Sequence, residues 1–373
     1  MEFKSAIDFH RNNPEQSLES HYKNLRLELS NNVIDKKVIY LDTKFWVLLR
    51  DAILFPDKDL QVTELLKTSE FLNESNKCIF PISEDVFLEV LKQTDLRTLT
   101  TTVALIDKLS NGISLINFDE RVMLEVMNFL GVTTGKPVHE TKELVWTKFS
   151  YILGFNTCSI SSLGKAENLM LQKSFVDEMW NKSLLQILED MKGIEFLRKF
   201  LNSTFGNNLN EGKLKHQHEA SSFQQMFLNE IGGIVDVYKE DLAQMMVLMI
   251  ERENKLTFSE EEIKPHHSET MRLMKNTIYN LFRLNKVGSA MPALQISAAL
   301  YASVRWDKKQ NFQDHDFHDF RHATAALPYC DYFFTEKRLA HLVTQNNLGY
   351  DKVYKCQVQS KVKDALSLIK NIK

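Results

Sequence analysis

The chain is poor in the residues that punctuate structure. Its 373 positions hold 12 glycines and 7 prolines, too few for a collagen-like chain or for long low-complexity disorder. Cysteine is scarce too: Cys78, Cys158, Cys330 and Cys356 lie far apart with no C-x-x-C pair. That spacing argues against a zinc module and a disulfide framework, and fits thiols kept reduced in a cytosol. No apolar run approaches the ~18 residues that a membrane span needs, and the opening "MEFKSAIDFHRNN" lacks an apolar signal core. A dominant charge is also missing. With 46 basic and 49 acidic side chains the net charge is −3, so any contact with nucleic acid must come from a local basic patch. The expectation is a soluble cytoplasmic protein without membrane attachment, and its 43% hydrophobic residues suffice for a large core.

What is present is an alternation of short apolar runs with helical spacing. Residues 1–37 carry many charges at helical intervals and read as a solvated helical lead-in. The run "VIYLD" (38–42) is β-branched and aromatic without alternation, which predicts a buried strand. A helix from Lys44 to Leu54 follows, then a break at "FPDKD" and a second helix over "LQVTELLKTSEFLNES". The runs "CIFPIS" (78–83) and "GISLINF" (112–118) read as further strands, with Ser83 as N-cap of the helix "EDVFLEVLKQ". This rhythm predicts a parallel sheet with right-handed crossovers. From about Gly131 to Lys286 the sequence reads as helices only. The clearest has Phe223, Met226, Phe227, Ile231, Ile234, Val235, Tyr238, Leu242, Met245, Met246 and Met249 as a core stripe, with a kink expected at Gly232 and Gly233. Strands return at "YFFT" and "KVYKCQV", before the helix "SKVKDALSLIKNI". The expected fold is α/β, a parallel sheet flanked by helices. Residues 38–130 form its first part, 131–290 a large all-helical insertion and 291–373 its second part.

Three acids fall at the edge of that expected sheet. Asp42 ends the first strand, Glu89 lies two turns into the helix after the second, and Asp319 opens the helix "DFRHATAALPY", with Asp314 and Asp316 just upstream. Carboxylates gathered in one place repel, and burying them together is costly unless a cation neutralises them. A hard divalent ion, Mg²⁺ or Mn²⁺, is the natural remedy, since it takes oxygen ligands and activates water against a phosphate.

On these residues the sequence resembles the PIN-like domain nucleases. "YLDTKFW" is similar to their first motif, "ISEDVFLEV" to the second, "DFRHATAAL" to the third and "YFFTEKRL" to the fourth. The resemblance covers roughly residues 36–130 and 290–373. It implies that Asp42, Glu89 and Asp319 hold Mg²⁺ or Mn²⁺, that Thr335 and Glu336 border the site with Glu336 as a further metal ligand, and that the activity is phosphodiester cleavage, most often of RNA. Lys44 stands where the family usually has Asn after Asp-Thr, and Thr335 is followed by Glu336 and Lys337 where Thr-x-Asp is frequent. Thr43, Lys44, Lys337, Arg338 and His322 are the expected substrate contacts, since a nuclease needs cations beside its site to hold phosphates. The helical insertion would gate substrate or take a protein inhibitor or partner, and a toxin or defence role is an analogy only. Two alternatives stay open. One is a non-catalytic binding or scaffold module of the same fold. The other is an HD-type phosphohydrolase, because His315, His318 and His322 share a helix face and His318-Asp319 forms the doublet; it requires an all-helical fold with a histidine upstream, such as His266 or His267.

Overall fold

Val38, Ile39, Tyr40 and Leu41 are all buried, so a strand that does not alternate in sequence has both faces covered, as a central parallel strand requires. The computed structural model describes residues 3–191, 206–216 and 218–372. In chain order its strands are β1 (Lys37–Leu41), β2 (Cys78–Ile79), β3 (Ile113–Leu115), β4 (Trp146–Lys148), β5 (Tyr332–Phe334) and β6 (Gln357–Gln359). β1, β2, β5 and β6 make one parallel sheet in the order β2-β1-β5-β6. Its register sets Ile39 against Tyr332 and Leu41 against Phe334, so β1 and β5 end side by side.

The chain divides into two compact units. The first comprises Met1–Glu120, His139–Ser203 and Ala325–Lys373. Here the helix Thr43–Leu54 buries Phe45, Trp46 and Leu49. It packs on the helices Leu60–Glu74 and Leu96–Ser110, and the closing helix Val362–Lys370 packs on Leu60–Glu74. The Phe45 ring lies 5.6 Å from that of Phe334, joining this layer to the sheet.

Three expectations about this unit need correction. The lead-in is not simply solvated: Tyr22 of the helix Leu18–Asn31 is buried, shares a 3.1 Å hydrogen bond with Thr147 Oγ1 and meets the rings of Tyr151 and Trp180 edge-on. Charged positions on its outer face masked the apolar stripe on its inner one. The stretch after Gly131 is not helical throughout, because β4 pairs antiparallel with β3, Leu115 against Trp146. Three residues are too few to show a period of two, and β3 thereby leaves the parallel ladder, touching it through a single bridge between Ile82 and Ser114. Finally, "KVYKCQV" is only half strand. Its first residues end the short helix Tyr350–Tyr354, which Lys355 stops in the left-handed conformation at φ 59°, and β6 begins at Gln357. Residues 192–205, which the expected helical insertion includes, lie outside the described residues.

The second unit comprises Arg121–Val138 and Thr204–Thr324, and its described residues contain no strand. Its axis is one helix, Phe223–Asn254, continuous through Gly232 and Gly233 with no break there. Met226, Ile231, Val235, Tyr238, Leu242 and Met245 are buried along it, so the Met-rich stripe is core. The helices His267–Arg283 and Pro292–Trp306 pack against it. Lys213 is buried and donates to the carbonyls of Val304 and Asp307 at 2.7 and 2.6 Å and to that of Gln310, closing the turn after Trp306. No helix among the described residues is long and apolar enough to cross a membrane.

Candidate functional site

In this sheet the chain leaves its two central strands in opposite directions, from β1 to its outer neighbour β2 and from β5 to its outer neighbour β6. The carboxyl ends of β1 and β5 therefore flank the crevice where open α/β sheets bind ligands. Asp42 follows β1, and Thr335 and Glu336 follow β5.

Asp42 is 4% exposed. Its amide continues the ladder by donating to the Phe334 carbonyl at 3.0 Å. Its Oδ1 accepts from the Phe45 amide at 3.1 Å, which makes it the N-cap of the helix Thr43–Leu54. Its Oδ2 accepts from the Glu336 amide at 2.9 Å, and Glu336 in turn begins the helix Lys337–Thr344. One carboxylate thus fixes the starts of two helices, whose positive dipole ends offset its charge.

Glu89 comes to the same place from β2. The helix Glu84–Leu91 follows that strand with Ser83 as its N-cap residue, but no cap hydrogen bond forms. Instead the Ser83 hydroxyl meets Tyr40 Oη of β1 at 2.6 Å, tying that helix to the central strand. Thr43 then donates from its hydroxyl to the Glu89 carboxylate. Asp42, Thr43, Glu89, Thr335 and Glu336 are accordingly gathered by one strand-end crevice. Lys44 and Lys337 are exposed and Arg338 is half-buried, all in the first turns of the two capped helices. That placement suits an anionic ligand.

Asp319 and His322 belong to the second unit. The helix that carries them starts at Asp316, earlier than expected, and the Asp319 amide donates to the His315 carbonyl at 3.0 Å. Asp319 is therefore inside the first turn and not its cap, and Asp316, the first helical residue, reaches back to accept from the Gln313 amide at 2.9 Å. His315 Nε2 lies 3.7 Å from Asp319 Oδ2. His322 is buried and His315 exposed, while Asp314 accepts from the Gly206 amide at 3.0 Å.

Two acids escaped the sequence reading. Glu84 and Asp85 are 6% and 1% exposed in the first turn after Ser83. Glu84 accepts from the Phe118 amide at 2.9 Å, a structural duty. The signal was available, since both follow an apolar run at the edge where ligand groups collect, but the Ser83 cap reading absorbed them.

Asp42, Glu89 and Glu336 are hard oxygen donors of the kind Mg²⁺ and Mn²⁺ prefer. Beside them the buried Thr335 hydroxyl has no hydrogen-bond partner among the described residues, and a buried orphan of this kind calls for a bound group. The donor chemistry suits a hard divalent ion, although the ligand atoms of Asp42, Glu89 and Glu336 do not all lie within 4.8 Å of one another. Comparison of the chain with protein-family models, with curated proteins and with solved structures finds no match.

Proposed function

We propose that the protein is a Mg²⁺- or Mn²⁺-dependent PIN-like nuclease that hydrolyses phosphodiester bonds in RNA. The observation that carries this reading is the buried Asp42 carboxylate at the crevice between β1 and β5, held by two backbone amides, with Glu89 linked to it through Thr43. Two preset amides fix the carboxylate's direction in advance, and such prior orientation is what a metal or transition-state site requires. Thr43 restrains Glu89 in the same way, while Lys44, Lys337 and two helix starts attract the phosphates. A divalent ion bound here supplies water activation and charge neutralisation on the phosphorus. Asp319, the acid of the third motif, is included on the resemblance alone.

The test is cleavage of single-stranded and structured RNA by purified protein with Mn²⁺. Asp42→Asn, Glu89→Gln and Asp319→Asn should each lower the rate at least 100-fold, as loss of one charge-stabilising group does. Cleavage unchanged in Asp42→Asn rejects the site, and unchanged cleavage in Asp319→Asn alone removes that residue from it.

One observation favours a non-catalytic module: both Asp42 oxygens already have backbone donors, as a purely structural cap would. Calorimetry separates the two, because such a module shows no Mn²⁺ binding that depends on Asp42. The HD-type alternative keeps a helical setting for its histidines in the second unit, whose described residues contain no strand, but it leaves the buried Asp42 at the strand-end crevice without a role.

A further inference from the structure

Away from the sheet, three helices of the first unit bring two imidazoles and a carboxylate to one point. His10 stands on the helix Phe3–Asn12, His21 on Leu18–Asn31 and Asp177 on Lys165–Trp180. His10 Nε2 lies 2.7 Å from Asp177 Oδ2, and His21 Nε2 lies 2.8 Å from Oδ1. The rings meet edge to face with centroids 4.8 Å apart. One ligand atom from each residue falls within 4.8 Å of the other two. The His10 side chain is fully buried, whereas those of His21 and Asp177 are 10% and 14% exposed.

We propose that His10, His21 and Asp177 form a divalent transition-metal site, with Zn²⁺ as the ion it fits best. Two nitrogens and one oxygen, each from a different packed helix, are the three-ligand set of open zinc sites, and the partly exposed side offers the fourth position to water. Donors around a tetrahedral ion, at roughly 2.0–2.2 Å from it, sit about 3.3 Å apart, so the two imidazoles, which now meet opposite oxygens of Asp177 at 2.7 and 2.8 Å, have to open by a few tenths of an ångström to admit the ion between them. Imidazole donors disfavour Mg²⁺ and Ca²⁺, which prefer oxygen.

Two neighbours set the strength. Lys173 is buried and turned away to the carbonyls of Asn13 and Gln16 at 3.0 and 3.1 Å, where it holds the turn between the first two helices. Its charge, partly neutralised by those carbonyl dipoles, weakens cation binding at the site. The buried His10 Nδ1 has no partner among the described residues, and a ligating histidine without an acceptor on its other nitrogen binds about 10- to 100-fold more weakly. The site is therefore weaker than a zinc centre with a full set of outer partners; it clamps the first two helices onto Lys165–Trp180, and it is independent of the crevice at Asp42.

The experiment titrates the full chain with ZnCl₂ by calorimetry and with CoCl₂ by visible absorption. Excess Mg²⁺ is present throughout to fill any all-oxygen site. The expected result is one Zn²⁺ per chain at micromolar affinity and a Co²⁺ d–d band, both weakened at least tenfold in His21→Ala and Asp177→Asn. A rise in melting temperature with Zn²⁺ in the natural chain, absent from His21→Ala, is expected as well. No saturable Zn²⁺ uptake at micromolar concentration overturns the site, and so does undiminished binding in both variants. Where a variant fails to fold, the Co²⁺ spectrum of the natural chain decides. A nitrogen-ligated d–d band upholds the site; its absence, or a thiolate charge-transfer band from a cysteine, overturns it.

Discussion

Asp42→Asn separates the structural duty of this residue from its proposed chemistry. The substitution keeps the shape and one carbonyl oxygen but replaces the other oxygen with an amide. Asparagine is as good an N-cap as aspartate, so the bond from the Phe45 amide survives. The Glu336 amide then faces Nδ2, a donor against a donor, and loses its 2.9 Å partner. A buried N–H without an acceptor costs about 1–3 kcal/mol. Relief of repulsion among the acids works the other way, but two helix starts already offset the Asp42 charge, so the lost bond should win. In EDTA the variant should thus be less stable by about 1–3 kcal/mol in urea denaturation followed by circular dichroism. With Mn²⁺ at roughly 100 times its Kd the natural chain should gain about 2.7 kcal/mol and the variant almost nothing, widening the gap. A variant as stable as the natural chain in EDTA refutes the double-amide role, and equal stabilisation of both by Mn²⁺ refutes metal binding at Asp42.

Other perturbations read other parts of the molecule. Thr43→Val keeps the volume but removes the hydroxyl that holds Glu89; it should cost about 1 kcal/mol in thermal denaturation and weaken Mn²⁺ about 10-fold in calorimetry. Asp107 caps the helix Leu184–Asp190 by accepting from the amides of Leu184 and Leu185 at 2.7 and 3.0 Å, yet burial, outweighing those bonds, raises its pKa above the ordinary aspartate value. Because the folded state keeps this proton where the unfolded state releases it, the contribution of Asp107 to stability is largest below the unfolded pKa and declines as pH rises to the raised folded value. Asp107→Asn should flatten that decline in urea midpoints measured across the acidic range, and an unchanged slope contradicts the assignment. Lys213→Met strips three carbonyls of their donor and should destabilise the second unit by about 2–5 kcal/mol, with faster amide exchange after Trp306 as the local sign.

The sheet's central strands were legible because burial on both faces leaves a compositional mark. "VIYL" and "YFF" are continuous apolar runs, and only a strand with a layer on each side tolerates them. The same logic fails for β4, where three residues between a short helix and a 3₁₀ turn carry no period. It fails again at residues 350–354, where Val353 and Tyr354 have strand propensity but the left-handed Lys355 closes a helical turn. Local preference yields there to tertiary context. The lead-in was misread for a related reason, since its inner stripe of His10, His21, Tyr22 and Leu29 mixes polar with apolar residues and does not stand out from the charged face. His10, His21 and Asp177 show the limit most clearly: nothing in sequence links positions on three helices whose meeting depends on how those helices pack.

Asp42 and Glu336 show the opposite case, in which topology makes remote residues predictable neighbours. A strand-terminal residue in a parallel sheet is placed by strand order and register, not by distance along the chain. β1 and β5 pair with Leu41 opposite Phe334, so whatever follows each strand must lie at one rim, however long the intervening chain. Closing that chain costs little extra with length, about 0.6 kcal/mol for each doubling, whereas a one-residue slip would turn every side chain of a buried strand onto the opposite layer and misalign the residues that follow it. The rim is therefore insensitive to the size of what lies between and sensitive to register. Inserting a residue into β1 should disrupt the bond between Asp42 and the Glu336 amide far more than lengthening an exposed turn of the second unit would.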